Sequence, residues 1–252
     1  MSYLRTTLAE HPELKPQILA LKDEALTASW RRNVSVSRPF VECVMDCFPQ
    51  YQCIVCNTER QVVAFGLSTP FTWNGTIQDL PEGWTLVVKR SISEYRQRQP
   101  SNTLSALSIG VSAPLRRQGL GNQLIQALRQ VASARGLSKL VAPVHPSLKY
   151  RYPLIPIEEY AFWTREDGLP FDPWMRNHAR LGARILKAAP CSTVITGTVQ
   201  EWEAWTSMRL PQSGSYILPE GLAPLTISYE CNEGRYENPD VWMEHRVSEG
   251  GL

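Results

Sequence analysis

Apolar positions along the chain change their period several times, and each change marks a new element. Ile18, Leu19, Leu21 and Leu26 recur at helical spacing and predict a helix over Pro16 to Leu26. Pro39 to Phe48 predicts a second, with Pro39 near its start and Pro49 just past its end. Tyr51 to Cys56 and Gln61 to Leu67 are β-rich runs separated by Asn57-Thr-Glu-Arg60, which predicts a hairpin. The turn-rich stretch Ser68 to Trp84 leads into a third helix over Leu86 to Arg98, with Leu86, Val87, Ile92 and Tyr95 on its apolar side. Leu107, Ile109 and Val111 then alternate with Ser108 and Gly110, as in a strand with two different faces. Leu120, Leu124, Leu128 and Val131 restore the helical period until Gly136, and Leu137 to Val144 reads as the next strand.

Pro146 to Phe171 is rich in prolines and aromatic residues and keeps no period. It predicts a loop or lid with one short helix near Ile157 to Trp163. Asp172-Pro173 is an N-cap followed by proline at the first helical position, opening a helix that runs to Leu181 and stops at Gly182. Ala183 to Ala188 and Ser192 to Val199 predict two strands. Beyond residue 200 turn signals dominate, and Leu225 to Tyr229 alone predicts a strand. The chain shows no internal repeat, low-complexity segment or linker composition. It therefore predicts a single domain over 1–252, with a lid-like insertion at 146–171 and a C-terminal extension at 200–252.

Composition narrows the function. The 252 residues are 43% hydrophobic and 20% charged, enough to build a sizeable core. A net charge of +2 provides no footprint for nucleic acid or an anionic membrane. A few clustered arginines (Arg31, Arg32, Arg116, Arg117) can still serve a small anion. No apolar run approaches the length of a membrane span. The N-terminus, MSYLRTTLAEHPELK, is charged by residue 5 and lacks the apolar segment of a signal peptide. The expected compartment is the cytoplasm, where the six cysteines are reduced. Cys43, Cys47, Cys53 and Cys56 have a spacing foreign to zinc modules. The odd separation of Cys53 and Cys56 on a strand turns them to opposite faces, so no metal site is expected.

The chemical signal lies between strand and helix at Arg116-x-x-Gly119-x-Gly121. A helix start leaves its first backbone N–H groups unpaired and carries partial positive charge, a ready site for phosphate. Glycines let the backbone approach closely, and Arg116 and Arg117 add charge. No Gly-Lys-Ser/Thr follows, as a Walker loop requires, and the dinucleotide pattern G-x-G-x-x-G is not met. Taken alone, the motif is equally a surface turn with arginines.

In its setting the stretch resembles motif A of the Gcn5-related N-acetyltransferase (GNAT) superfamily, whose signature is Gln/Arg-x-x-Gly-x-Gly/Ala. The resemblance implies an α/β fold with a mixed central sheet, splayed between strands 4 and 5 and flanked by helices. It implies that Arg116, Arg117, Gln118, Gly119, Leu120 and Gly121 form the pyrophosphate loop for coenzyme A, and that Leu107, Ile109 and Val111 form the strand that lends backbone hydrogen bonds to the pantetheine arm. Pro143, which cannot donate to a neighbouring strand, fits the splay. The match covers roughly residues 14 to 200. The long segments 68–102, 146–171 and 200–252 depart from it and are where acceptor choice should differ.

The same resemblance implies acyl-CoA-dependent transfer to a primary amine by direct attack, with acetyl-CoA or a longer acyl-CoA as donor and an amine-bearing small molecule or peptide as acceptor. Such transfer needs a proton acceptor for the amine and a proton for the departing thiolate. Many family members carry a Tyr acid four residues before Gly-Phe. Here the text is His178-Ala-Arg-Leu-Gly182-Ala183, so His178 takes the acid position. It could equally be a helix-end histidine at the negative end of the dipole. His145, just past the strand that splays, is the base candidate, or alternatively a loop histidine bonded to backbone. Tyr152, a third catalytic candidate, falls with Glu158, Glu159 and Tyr160 in the insertion, where they would line the acceptor site or, for the adjacent charges, simply be solvated. Trp163, Phe171, Trp174, Trp202 and Trp205 either cap the core or wall a tunnel for a long acyl chain. Two rival readings keep the coenzyme A loop: a non-catalytic acyl-CoA-binding or sensing module, and an enzyme of the same fold acting on carrier-protein thioesters or decarboxylating a malonyl thioester.

Overall fold

The structure is a computed structural model that describes residues 3–25 and 37–247. The expected residues Leu26, Arg31 and Arg32 lie outside the described part. In chain order the elements are β1 (Leu4–Thr7), α1 (Lys15–Ala25), α2 (Arg38–Cys47), β2 (Cys53–Cys56), β3 (Val62–Phe71), α3 (Trp84–Arg96), β4 (Thr103–Val111), α4 (Leu120–Ala134), β5 (Lys139–Val144), α5 (Ile157–Tyr160), α6 (Pro173–Arg180), β6 (Arg184–Gly197), α7 (Val199–Thr206), β7 (Gly214–Ile217), β8 (Pro224–Ser228) and β9 (Glu233–Arg246).

The strands form one nine-stranded sheet in the order β1-β2-β3-β4-β5-β9-β8-β7, with β6 paired to β9. β4 and β5 form a parallel pair, while the other pairings are antiparallel. Two apolar layers cover the N-terminal part of the sheet. One joins α1, α2 and α3 through Ile18, Val44, Val87 and Val88 to Phe65, Leu67 and Phe71 of β3. The other joins Leu124, Leu128 and Ala132 of α4 to Ala64, Leu104 and Leu140. Cys56 belongs to the first layer and Cys53 to the second, so the two thiols do point to opposite faces.

The helices predicted as far as β5 are present within two residues; the hairpin is present too, but β3 runs on to Phe71, into the predicted loop from Ser68, and β1 is an additional strand. The C-terminal part differs. The two strands predicted over 183–199 are one long strand, β6, interrupted where Ala189 and Thr193 pair with Asp240 and Asn238 and the residues between them bulge out. Residues 200–252 are not wholly an appendage. Their strand β9 pairs Lys139–Val144 along β5 and runs beside nearly all of β6, so it closes the sheet. The remainder, α7, β7 and β8, builds a small separate cluster around Trp202, Leu225, Ile227 and Tyr236.

Candidate active site

The loop after β4 folds back on itself. Arg116 Nε donates to the Val111 carbonyl at 3.2 Å, and Gln118 Nε2 donates to the Pro114 carbonyl at 3.1 Å. Arg117 and Gly119 have φ of 63° and 83°. Gly119 is the N-cap of α4, and no side chain caps that helix start. The first bond of the helical ladder runs from the Gln123 N–H to the Gly119 carbonyl, so the amides of Leu120, Gly121 and Asn122 precede it. A Cβ placed on Gly119 would meet nothing within 4 Å. Open space, unpaired amides, the positive end of a 15-residue helix and two exposed arginines together fit a pyrophosphate. Gly121 has a different cause: a Cβ there would stand 3.3 Å from the Trp174 ring of α6. The second glycine of the motif is thus fixed by packing, while the first is fixed by the turn. Leu120 contributes its amide only, because its side chain is buried under α4.

Behind the loop the sheet opens. β4 and β5 pair at Thr103–Lys139, Leu104–Leu140 and Ser105–Val141, and no further. Both strands continue, β4 to Val111 and β5 to Val144, so a splay begins after Ser105 and Val141. The β3–β4 register slips between Leu67 and Ser68, which face Ser108 and Ala106 and leave Leu107 unmatched. This bulge breaks the expected alternation. Leu107 joins the layer under α1–α3, while Ile109 and Val111 pack toward α4.

His145 follows directly on β5, at the mouth of this splay. Its Nδ1 lies 3.1 Å from Oδ1 of Asp240 on β9, and Asn238 Nδ2 is 3.4 Å away. The Asp240 carboxylate is only 6% exposed, whereas the His145 side chain is 41% exposed. Asp240 also accepts a short hydrogen bond from Ser192 Oγ, and Ser192 Oγ accepts from the Trp84 backbone N–H at 2.8 Å. The Trp84 indole N–H donates to the Leu107 carbonyl at 3.0 Å. One chain of contacts therefore runs from the donor strand to the histidine. A buried carboxylate receiving Nδ1–H orients the imidazole and leaves Nε2 as the basic nitrogen, the standard second-partner arrangement for a histidine base. Asp240, Asn238, Ser192 and Trp84 were not singled out from sequence. Asp240 sits in a strand hidden among turn signals, and its one mark is a lone carboxylate ahead of the apolar run Val241-Trp242-Met243.

His178 does not fit its expected role. It is 3% exposed, its Nδ1 lies 2.9 Å from His245 Nε2, and Trp174 meets its ring edge-on at 4.9 Å. Burial, and next the neighbouring His245, push its pKa down to about 3. A neutral, enclosed imidazole is a packing element between α6 and β9, not a proton donor to a thiolate. Tyr152 stands in an aromatic cluster with Tyr160, Trp163 and Phe171. That cluster is held by Asp172, which caps α6 through the N–H groups of Trp174 and Met175 and accepts from Tyr160 Oη and Leu148 N–H. Beneath it the buried Lys149 donates to the Tyr152 and Leu222 carbonyls and fastens the insertion to the C-terminal segment. Glu158 and Glu159 are exposed.

The aromatic residues offered as a tunnel fall into separate places. Trp163 and Phe171 join the insertion cluster, Trp174 packs on Gly121 and His178, and Trp202 and Trp205 pair with each other in the C-terminal cluster. Trp163, Phe171 and Trp174 pack against one core that includes Val144, Tyr160 and Met175, and Trp202 and Trp205 belong to another. Cys43 and Cys47 approach to 3.8 Å between sulfurs, and among the described residues no group of three or more His, Cys, Asp or Glu side chains is placed to hold a metal.

An uncapped helix start with open space before it, a parallel pair that splays, and an oriented histidine just past β5 fit a coenzyme A-dependent acyltransferase. Comparison with known proteins agrees. Residues 21–154 match the family model "Acetyltransferase (GNAT) family". The chain is 31% identical over 226 residues to the arginine N-acetyltransferase avaD of Aspergillus versicolor, covering 79% of this chain and 77% of that protein. Among solved structures, the loading GNATL domain of CurA from Lyngbya majuscula superposes with a TM-score of 0.66 at 19% identity, over 98% of each chain. The GphF GNAT-like decarboxylase in complex with isobutyryl-CoA gives 0.59 at 15% identity, over 98% of this chain and 100% of that one. The chain belongs to the GNAT acetyltransferase family and is an acyltransferase. Among its described residues no helix is long and apolar enough to cross a membrane.

Proposed function

We propose that the protein transfers an acetyl group from acetyl-CoA to a primary amine of a small, cationic, amino-acid-like acceptor such as arginine. The observation that carries this reading is the His145–Asp240 pair just past the C-terminal end of β5, beside the donor loop that follows the C-terminal end of the parallel strand β4. The thioester supplies an activated acyl carbon. The amides of Leu120, Gly121 and Asn122, with Arg116 and Arg117, hold the anionic end of the donor, and the open edge of β4 orients its arm. The amine nitrogen bonds to the acyl carbon as the carbon's bond to sulfur breaks, His145 takes the proton from the amine, and the coenzyme A thiolate leaves and takes up a proton from solvent. Asp240, itself fixed by Ser192, holds the ring in place and stabilises the charge it gains.

Two observations support a cationic acceptor. The relative avaD is an arginine N-acetyltransferase. In the β6 bulge, the Cys191 thiol is held above its ordinary pKa by burial and then by the Glu237 and Glu82 carboxylates, so acidic side chains lie near the residue next to Ser192. Glu237 is shared with Arg235 at 2.8 Å, so Glu82 is the more available of the two.

The test is thiol release by the purified protein with acetyl-CoA and arginine, with mass spectrometry of the product. An arginine heavier by one acetyl group is expected. Binding of acetyl-CoA without thiol release over a panel of amines would instead make the protein a binding module. Loss of carbon dioxide from malonyl-CoA, or acylation of a carrier-protein thiol, would move it to thioester chemistry.

A further inference from the structure

Trp84 is the first residue of α3 and reaches two sides of the splay at once. Its backbone N–H is on Ser192 Oγ at 2.8 Å, within the network that orients His145. Its indole N–H is on the Leu107 carbonyl at 3.0 Å, on the stretch of β4 that lies past the last pair with β5. The ring is steadied edge-to-face by Phe40 of α2, with centroids 6.5 Å apart. It lies against a cluster that includes Leu107, Val141, Ala189 and Trp242. Gly83 makes the approach possible, because a Cβ there would collide with Ser192. A large, planar side chain, anchored by its backbone N–H and by its indole N–H, thus stands on the α1–α3 side of the opening. It stands opposite the side from which the donor loop at the start of α4 faces the sheet.

The geometry points to Trp84 as the residue that sets acyl length: its indole closes the far end of the acyl pocket and restricts the donor to acetyl and similarly short thioesters. This inference rests on the acyltransferase reading and goes beyond it, since neither the family nor the arginine N-acetyltransferase relative determines which residue ends the pocket of this chain. The argument is one of space and stiffness. An unbranched acyl chain needs room in line with the pantetheine arm. Here that line meets a ring that cannot turn aside without giving up the hydrogen bond to Leu107 and its contact with Phe40. The Trp84 indole is hydrogen-bonded to the donor strand, while its backbone N–H is linked to the base only through Ser192 and Asp240.

The experiment is steady-state turnover with arginine and acetyl-, butyryl- or hexanoyl-CoA, alongside calorimetric binding of each donor, for the wild type, W84F and W84A. For the wild type, kcat/KM should fall by at least about 100-fold from acetyl- to hexanoyl-CoA, given about 10-fold or more for each poorly accommodated methylene. W84A should shrink that ratio to about 10-fold or less, and W84F, which keeps a ring, should stay near the wild-type ratio. If W84A melts at the assay temperature, W84L makes the same comparison. Equal use of hexanoyl- and acetyl-CoA by the wild type, or an unchanged ratio in a folded W84A or W84L, overturns the inference while leaving acyltransfer intact. Failure of every donor to bind overturns the acyltransferase reading itself.

Discussion

His145 Nδ1 lies 3.1 Å from Asp240 Oδ1, which joins the residue after β5 to a carboxylate 95 positions later on β9. The contact is possible because β9 pairs with β5 on one side and with the bulged β6 on the other, so Ser192 can reach the same carboxylate. If His145 is the base, Asp240→Asn should lower kcat/KM by about 10²–10⁴-fold, the usual worth of an oriented general base. His145→Ala should cost a similar factor, and the double variant little more, because the two act as a unit. The dissociation constant for acetyl-CoA should stay within about twofold, since neither residue belongs to the loop that holds the donor. A matched loss of donor affinity would instead assign the pair to the coenzyme A site.

The two glycines of the motif should fail for different reasons. Gly119 sits at φ 83° with open space around it, so Gly119→Ala meets no atoms but must hold a left-handed backbone, costing about 1–2 kcal/mol. Gly119→Glu adds bulk and negative charge where the pyrophosphate is expected, and should abolish donor binding by calorimetry. Gly121→Ala brings a methyl group to within 3.3 Å of Trp174, so its cost should be relieved by Trp174→Leu. A double-mutant cycle on thermal stability should show a coupling of at least about 0.5 kcal/mol for Gly121 with Trp174 and none for Gly119 with Trp174.

Glu82 should matter to the acceptor's charge and to little else. Glu82→Gln should raise KM for arginine by up to about fivefold, the reach of an ion pair worth about 0.2–1 kcal/mol at a solvent-exposed carboxylate. KM for citrulline, the uncharged isostere, should not move. Equal shifts for both acceptors would assign Glu82 to loop structure.

The stretch from β4 to β5 was legible because its signals are local: a glycine at a turn, a helical period, a proline near the end of β5. The family's fold followed from it. The site's other half was not legible. The bulge that turns Leu107 away from Ile109 depends on the register with β3, which the alternation of side chains does not reveal. β9 carries no clear signal because Asn238–Met243 is buried on both faces, so its apolar run Val241-Trp242-Met243 shows no period. With β9 unseen, Asp240 had no place beside His145, and His245 no place beside His178. From sequence His178 reads as an acid candidate or a helix-end histidine, and the contact with His245 of β9 that encloses it is not visible there.

That covered pair makes a prediction about acid. His178 and His245 are buried and held at 2.9 Å, so one neutral ring donates to the other. Their pKa values are pushed below the ordinary 6.5, to about 3 and about 4, chiefly by burial in both cases. His178 is further depressed by His245, and His245 by Arg129. In the unfolded chain both rings take up a proton as the pH falls through 6.5, whereas in the folded chain they resist until about 3 and 4. Between those values the unfolded state binds more protons, so stability is full above 6.5 and is lost as the pH drops. Each kcal/mol lost should lower Tm by about 2–4 °C for a chain of this size. Carboxylates elsewhere also titrate in acid, so the informative quantity is a difference. A His178→Leu/His245→Leu double variant should lose Tm less steeply than the wild type from pH 6.5 to pH 4. Parallel pH profiles for the two proteins would mean that the histidines are already protonated in the folded state, against the burial that surrounds them.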